Sequence, residues 1–242
     1  MAHPTRISTR LLAALLFIFT LQACDLANCV RGSGSEVRRT LDLPEIRSIV
    51  AQGSIDVHLS RADVQHVEIE AQENLIAMIT TEVKEAALHV GTTGCIANSR
   101  PIIIHISLPS VEGVTMQGSG DLTSSDRFTS EAFVASVQGS GSIRMGVDAR
   151  MIRAAVQGSG DIDLSGHCED LEADVQGSGN IDAKGLEAMN VQANVQGSGD
   201  IDLHVTGRLK ASIGGSGDIT YQGKPTEVKK DVMGSGELKQ VP

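Results

Sequence analysis

The sequence predicts an all-β chain wound as a parallel β-helix, a solenoid with coils of about 19–21 residues, on three observations. A Gln-Gly-Ser-Gly signature recurs at nearly constant spacing through the C-terminal half. Apolar and polar residues alternate on both sides of it. Large rings are scarce: the 242 residues include 26 glycines but only four phenylalanines, one tyrosine and no tryptophan. Phe17 and Phe19 fall in the N-terminal apolar segment, which leaves Phe128, Phe133 and Tyr221. A core without rings must be thin, as in a solenoid whose small and branched side chains stack along an axis.

Seven signatures align on Ser119, Ser140, Ser159, Ser178, Ser198, Ser216 and Ser235, with steps of 21, 19, 19, 20, 18 and 19 residues. An extended loop of that length has a perimeter of ~60 Å, enough for two or three short strands joined by turns, with successive coils ~4.8 Å apart. Strand periodicity turns the residue two before each glutamine outward and its neighbours inward. The inward pairs are Ala135 with Val137, Ala154 with Val156, Ala173 with Val175, Ala193 with Val195, and Ala211 with Ile213. After the corners, Leu122, Ile143, Ile162, Ile181, Ile201, Ile219 and Leu238 form an aliphatic ladder.

Each Gly-Ser-Gly reads as a corner, where glycine takes positive φ freely and lets successive coils approach. The serines and Gln117, Gln138, Gln157, Gln176 and Gln196 are expected to stack as hydrogen-bonding ladders. Gly214 and Met233 interrupt the glutamines, and Lys230 stands in the alanine column. A closed core does not tolerate an unpaired ammonium, so the last coil is expected to be frayed or a terminal cap.

Upstream, Gly32-Ser33-Gly34 and Gln52-Gly53-Ser54 read as degenerate corners 21 residues apart, and the next serine in register lies 65 residues beyond Ser54. That gap has room for three coils that lost the signature. Val64 to Ile69, Ala87 to Val90 and Ile102 to Leu108 read as strands, Asn74 to Met78 as a short helix or strand, and Gly91 to Pro101 as an exposed loop. The expected organisation is an irregular β region over 24–115 continuous with a regular solenoid over 116–242.

Residues 1–23 read as an export signal, with Arg6 and Arg10 before an 11-residue apolar run, Leu11 to Leu21, too short to span a bilayer. The segment Leu21-Gln22-Ala23-Cys24 resembles the lipobox of bacterial lipoproteins, which implies cleavage before Cys24 and lipid on its thiol. The alternative is an ordinary cleaved signal in which Cys24 is incidental. Removing 1–23 deletes two arginines and no acid, leaving 18 basic and 30 acidic residues, a net charge of −12. Nucleic acid is a poor partner for such a surface. The lipid would hold the chain at a membrane whose anionic headgroups repel it.

In an exported chain Cys29 and Cys95 are candidates for a disulfide, whereas Cys168 fits a small buried hydrophobe within a coil. No Cys-x-x-Cys suggests a zinc or redox site.

Repeated Gly-Ser-Gly-Asp-Ile coils behind a lipoprotein-like signal resemble the DUF2807 family, the putative auto-transporter adhesin, head GIN domain. The resemblance spans about residues 30–239 and includes Leu41-Asp-Leu-Pro-Glu-Ile-Arg-Ser-Ile, Glu68-Ile-Glu-Ala-Gln-Glu-Asn-Leu and Thr81-Glu-Val-Lys. It implies a right-handed β-helix in a bacterial envelope protein and brings no catalytic residues. Two departures stand out: Gln52-Gly53-Ser54-Ile55 lacks the second glycine, and the loop Gly91 to Pro101 carries Cys95.

The sharpest chemical candidate is an acidic stripe after the corners, Asp121, Ser142, Asp161, Asn180, Asp200, Asp218 and Glu237, followed by Asp163, Asp182 and Asp202. Calcium β-rolls place aspartate two residues after the last glycine in a nine-residue repeat, a position held here by Ile162, Ile181 or Ile201. The stripe is therefore read as a solvated face that resists edge aggregation, with no metal and no cofactor. A glycan-cleaving β-helix would need two carboxyls held beside a sugar site, and nothing singles out a pair. His58 and His66 flank a turn, while His89, His105, His167 and His204 are scattered. Gly-Ser-Gly lacks the helix and lysine of a phosphate loop.

These readings describe a noncatalytic lipoprotein of the bacterial cell envelope, inner or outer membrane unresolved, with a β-helical binding or adhesion surface for an unknown protein or glycan. An envelope scaffold is the alternative.

Overall fold

The computed structural model describes residues 29–97 and 99–242. The chain is a β-solenoid of about 7 turns. The N-terminal elements are β1 (Val30–Arg31), β2 (Glu36–Leu41), β3 (Ser48–Gly53), β4 (Ile55–Arg61), β5 (His66–Gln72), a 3-10 helix (Glu73–Met78), β6 (Ile79–Lys84), β7 (Ala87–Thr92), β8 (Ile96–Ala97), β9 (Ile102–Leu108) and β10 (Gly113–Gly118). The regular coils follow as β11 (Asp121–Gly139), β12 (Ser142–Gly158), β13 (Asp161–Gly177), β14 (Asn180–Gly197), β15 (Ile201–Gly215), β16 (Ile219–Gln222), β17 (Glu227–Gly234) and β18 (Leu238–Gln240).

From β10 onward every ladder is parallel and in the register that the serine alignment requires. Gln117 pairs with Gln138, Gln138 with Gln157, Gln157 with Gln176, and Gln176 with Gln196. The alanine and valine columns are buried, as is the aliphatic ladder from Leu122 to Ile219. Leu238 is half-buried at its end. Between the two inward rows each coil bends, and Ala149, Cys168, Ala188 and Val205 stack there as a third column. Phe128 and Phe133, the largest buried side chains, both lie on β11, the first regular coil.

The two glycines of a corner have different reasons to be glycine. The first has positive φ, as at Gly177 (φ 129°). The second is excluded by contact: a Cβ on Gly179 would lie 2.0 Å from the carbonyl oxygen of Gly160. Backbone bonds hold the corners together, with the Ser178 and Gly179 amides donating to Gly158 O at 2.8 and 3.1 Å, a pattern repeated coil by coil. This corrects the expected serine ladder. The corner hydroxyls are exposed, and it is the serine amides that link the coils. Side-chain bonds between stacked glutamines run from Gln52 to Gln117 (2.9 Å) and from Gln117 to Gln138 (3.3 Å).

The 65-residue gap does not hold three coils. β3 pairs directly with β10, Gly53 opposite Gly118, so Ser54 and Ser119 belong to adjacent corners. The chain between them leaves the stack after β4, builds the end of the solenoid and returns. On one side β2 and β5 pair antiparallel, β5 pairs antiparallel with β9, and β9 pairs parallel with β4. On the other, β6 pairs antiparallel with β7, which runs parallel to β3. Antiparallel strands and the 3-10 helix, with Leu75 wholly buried, end the stack here in place of another parallel coil, with β2 and β6 as its edge strands.

Gly32-Ser33-Gly34 is no corner of this stack, because β1 beside it pairs with β8 alone. The missing second glycine leaves the Gln52 corner regular: the Ser119 and Gly120 amides still donate to Gly53 O at 2.8 and 3.3 Å. Ile55 is tolerated because β7 and β9 beneath it are joined by the detour 93–101 rather than a tight corner. A Cβ on Gly53 would accordingly meet nothing within 4 Å.

Candidate functional surface

Outward side chains form columns along the solenoid axis, and the acidic stripe is the best ordered. Asp56 Oδ1 accepts the Asp121 amide at 3.0 Å, and Asp121 Oδ1 accepts the amide and hydroxyl of Ser142 at 3.1 and 2.7 Å. Asp161 Oδ1 accepts the amide and Nδ2 of Asn180 at 3.1 and 2.9 Å. Asn180, Asp200 and Asp218 accept the next coil's amide at 3.0, 2.7 and 2.8 Å. The stripe is thus more than a solvated face. Its oxygens accept corner amides, which at Ser142 and Asn180 also donate to a backbone carbonyl, and these two residues separate the carboxylates of Asp121, Asp161 and Asp200 that would repel. Asp218 is held below the usual carboxylate range by the Lys239 ammonium, with the Glu237 amide adding to the effect.

The neighbouring column pairs charges between coils. Arg144 Nε donates to Asp163 at 3.0 Å, and Lys184 reaches both Asp182 (3.2 Å) and Asp202 (2.8 Å). At the bend Arg150 pairs with Glu131 at 2.5 Å and Arg153 with Glu172 at 2.6 Å. Asp170, Asn190 and Arg208 continue this lattice as a hydrogen-bonded chain with both steps at 3.0 Å. Two grooves follow the axis here, of about 480 Å³ over Ala149, Cys168 and Met189 and about 450 Å³ over Leu171, Val191 and Leu209. Among the described residues no three of His, Cys, Asp and Glu converge as cation ligands.

His58 and His66 are not neighbours, since β9 lies between their strands. His58 instead meets His105, ring centroids 5.2 Å apart, and His105 Nε2 lies 2.8 Å from Glu70 Oε2. Arg38 Nη2 reaches the same carboxylate at 2.7 Å. The His105 hydrogen bond, with Arg38 adding, holds the Glu70 carboxyl below its usual range against a smaller opposing effect of burial. Strands distant in sequence make this cluster, and no local spacing announces it.

Cys24 lies outside the described residues. Cys29 and Cys95 are joined, with Cα atoms 4.6 Å apart, and Val30 donates to Cys95 O at 2.9 Å. The buried Cys168 thiol is pushed up to about 12, by burial first and Asp170 second, so it carries no thiolate at neutral pH.

The fold and these columns define a repeat protein that presents a rigid, patterned lateral surface. The chain belongs to the family described as "Putative auto-transporter adhesin, head GIN domain", whose model matches residues 46–225. A putative adhesin of Bacteroides fragilis is similar at 25% identity, with a TM-score of 0.83 over 88% of this chain and 100% of that one. Two proteins of Parabacteroides distasonis share the fold at 22% identity and a TM-score of 0.72 over 88% of this chain. One is described as a putative adhesin and the other as a putative lipid binding protein, covered over 100% and 99% of their lengths. No curated protein matches the chain.

Proposed function

We propose that the chain is a noncatalytic lipoprotein of the bacterial cell envelope, anchored through lipid on Cys24, whose solenoid wall binds a protein or glycan. The observation that carries this reading is the lattice of outward columns. Coil spacing fixes charged and polar side chains at a regular interval, which suits recognition of an extended ligand over several coils. The stripe carboxylates accept backbone amides, and Asp163, Asp202 and Glu172 pair with cations, which favours binding over hydrolysis. The Cys29–Cys95 bond ties the anchored segment to the capped end and suits an oxidising compartment.

The test has two arms. Cys24→Ala should abolish incorporation of labelled palmitate and move the protein from the membrane to the soluble fraction. Lipid on the Cys24→Ala chain would overturn the anchor. Protease treatment of intact cells, followed by protein and glycan array binding of the purified full chain, tests display. A protein shielded within the envelope that binds no array component would instead support an envelope scaffold.

A further inference from the structure

The two ends of the solenoid are unlike. The N-terminal end finishes on the antiparallel strands β2 and β6, packed with β5 and the 3-10 helix, whereas at the other end the parallel strands β17 and β18 pair, among the described residues, with β15 and β16 beneath them. The far edge of the last coil therefore offers unpaired backbone amides and carbonyls. β17 is ordered in register from Glu227 opposite Arg208 to Gly234 opposite Gly215, and exposed along its whole length. It is ordered rather than frayed, and as the terminal coil it covers Leu209, Ala211 and Ile213. Its inward face carries Val228 and Val232, 41% and 38% exposed, over the buried Leu209 and Ile213. Between them Lys230 stands over Ala211, and a depression of about 550 Å³ opens from it, lined also by Asp231, Val232, Glu237 and Leu238.

The ion pairs of this coil involve Lys229 with Glu227 and Lys239 with Asp218 and Glu237, and Lys230 has none among the described residues. Anything that covers the edge must bury this ammonium, at heavy cost unless a carboxylate faces it. A second copy does not meet that requirement. The inward residues of β17 and β18 are Val228, Lys230, Val232, Leu238 and Gln240, and a pairing of two C-terminal ends that joins the cores sets only these against Lys230. No carboxylate is among them.

We propose that the C-terminal coil is a docking edge for an extended segment of another protein, added beyond β17 as one more strand. Its pattern is aliphatic, any, acidic, any, aliphatic. The aliphatic residues cover Val228 and Val232, the carboxylate meets Lys230, and the segment's backbone takes up the free edge, the β-augmentation mode of peptide recognition. Lys230 has two roles: it discourages stacking of identical solenoids and selects an acidic strand.

The probe is the labelled peptide Thr-Val-Thr-Glu-Thr-Val-Thr, titrated into the full-length chain in detergent and followed by fluorescence anisotropy, with amide exchange locating the contact. Saturable binding and slowed exchange over 227–234 are expected, with roughly tenfold or more weaker binding when lysine replaces the central glutamate. Lys230→Glu, on an exposed strand that should still fold, should reverse that preference, and Lys230→Gln should remove it. Absence of saturable binding, equal affinity for the two peptides, or an unchanged preference in Lys230→Glu would each overturn the proposal. So would self-association of the wild-type chain that protects the β17 amides, because a second copy would then be the occupant.

Discussion

Gly179→Ala should be among the most damaging single-methyl changes in the chain, although its backbone is not in the left-handed region. The added Cβ would sit 2.0 Å from Gly160 O and 2.7 Å from Val156 Cγ1. Relief requires the corner to move by about 1 Å against a coil spacing of ~4.8 Å, which neighbours on both sides oppose. That movement also stretches the bonds from the Gly179 amide to Gly158 O (3.1 Å) and from the Asn180 amide to Gly160 O (3.2 Å). Overpacking costs about 1–3 kcal/mol and each weakened bond about 1 kcal/mol, for a loss of roughly 2–5 kcal/mol. Gly214→Ala is the matched control. It adds the same methyl at a glutamine-column position whose nearest contact would be Val195 O at 3.8 Å, and should be neutral or stabilising by up to about 1 kcal/mol. Urea unfolding of the two variants beside wild type, compared at equal m-value, reads the difference. A loss below about 1 kcal/mol for Gly179→Ala, or equal losses for both, would refute steric exclusion as the reason for the second glycine.

Ala173→Leu, inserted between Ala154 and Ala193, should cost roughly 1–3 kcal/mol, whereas Asp163→Ala removes only a surface pair with Arg144 and should cost about 0–1 kcal/mol by the same unfolding assay. Cys29→Ser should lower stability by roughly 2–4 kcal/mol under oxidising conditions, because it frees a loop of sequence separation 66, and no change would mean that the bond is not formed in solution. Glu70 has a folded-state pKa below its usual 4.5, so its stabilising contribution is present above that value and fades as pH falls through the lower folded one. Glu70→Gln should therefore flatten the acid limb of a stability–pH curve, and an unchanged limb would contradict the His105–Glu70 linkage. Millimolar calcium should raise the melting temperature no more than sodium chloride of matched ionic strength, since the stripe oxygens already accept corner amides. Saturable stabilisation abolished by Asp161→Asn and Asp200→Asn would show a specific site.

The regular coils were legible because a parallel stack imposes the same demand at every turn. Aligning Ser119 through Ser235 fixes the register, and the register places Ala173 between Ala154 and Ala193 without further information. The N-terminal region resisted the same treatment for a physical reason. The stack ends there on strands of the opposite direction, and these share neither the coil length nor the corner chemistry. The number of coils was therefore overcounted, and Gly32-Ser33-Gly34 looked like a corner when no coil lies against it as one. The side-chain ladders were half legible. Stacking followed from spacing, but whether hydroxyl or amide carried the bond depended on corner geometry, which turns the serine Oγ to solvent.

A solenoid of this kind separates two sorts of information. Inward and corner positions must match both neighbouring coils, so they repeat, and their repetition says only that the stack is stable. Recognition must be written in the outward columns, where a coil differs from the next without disturbing the stack. The departures are therefore the informative places. Lys184 bridges two aspartates, Met189 is exposed beside the bend groove, and the register shift between Thr123 and Arg127 widens one coil wall. Lys230 is the same kind of departure moved to the inward face. There it changes a coil that would have accepted another identical coil into an edge that asks for a carboxylate. Under the docking proposed for the C-terminal edge, the positions where the repeat fails are the ones that choose a partner.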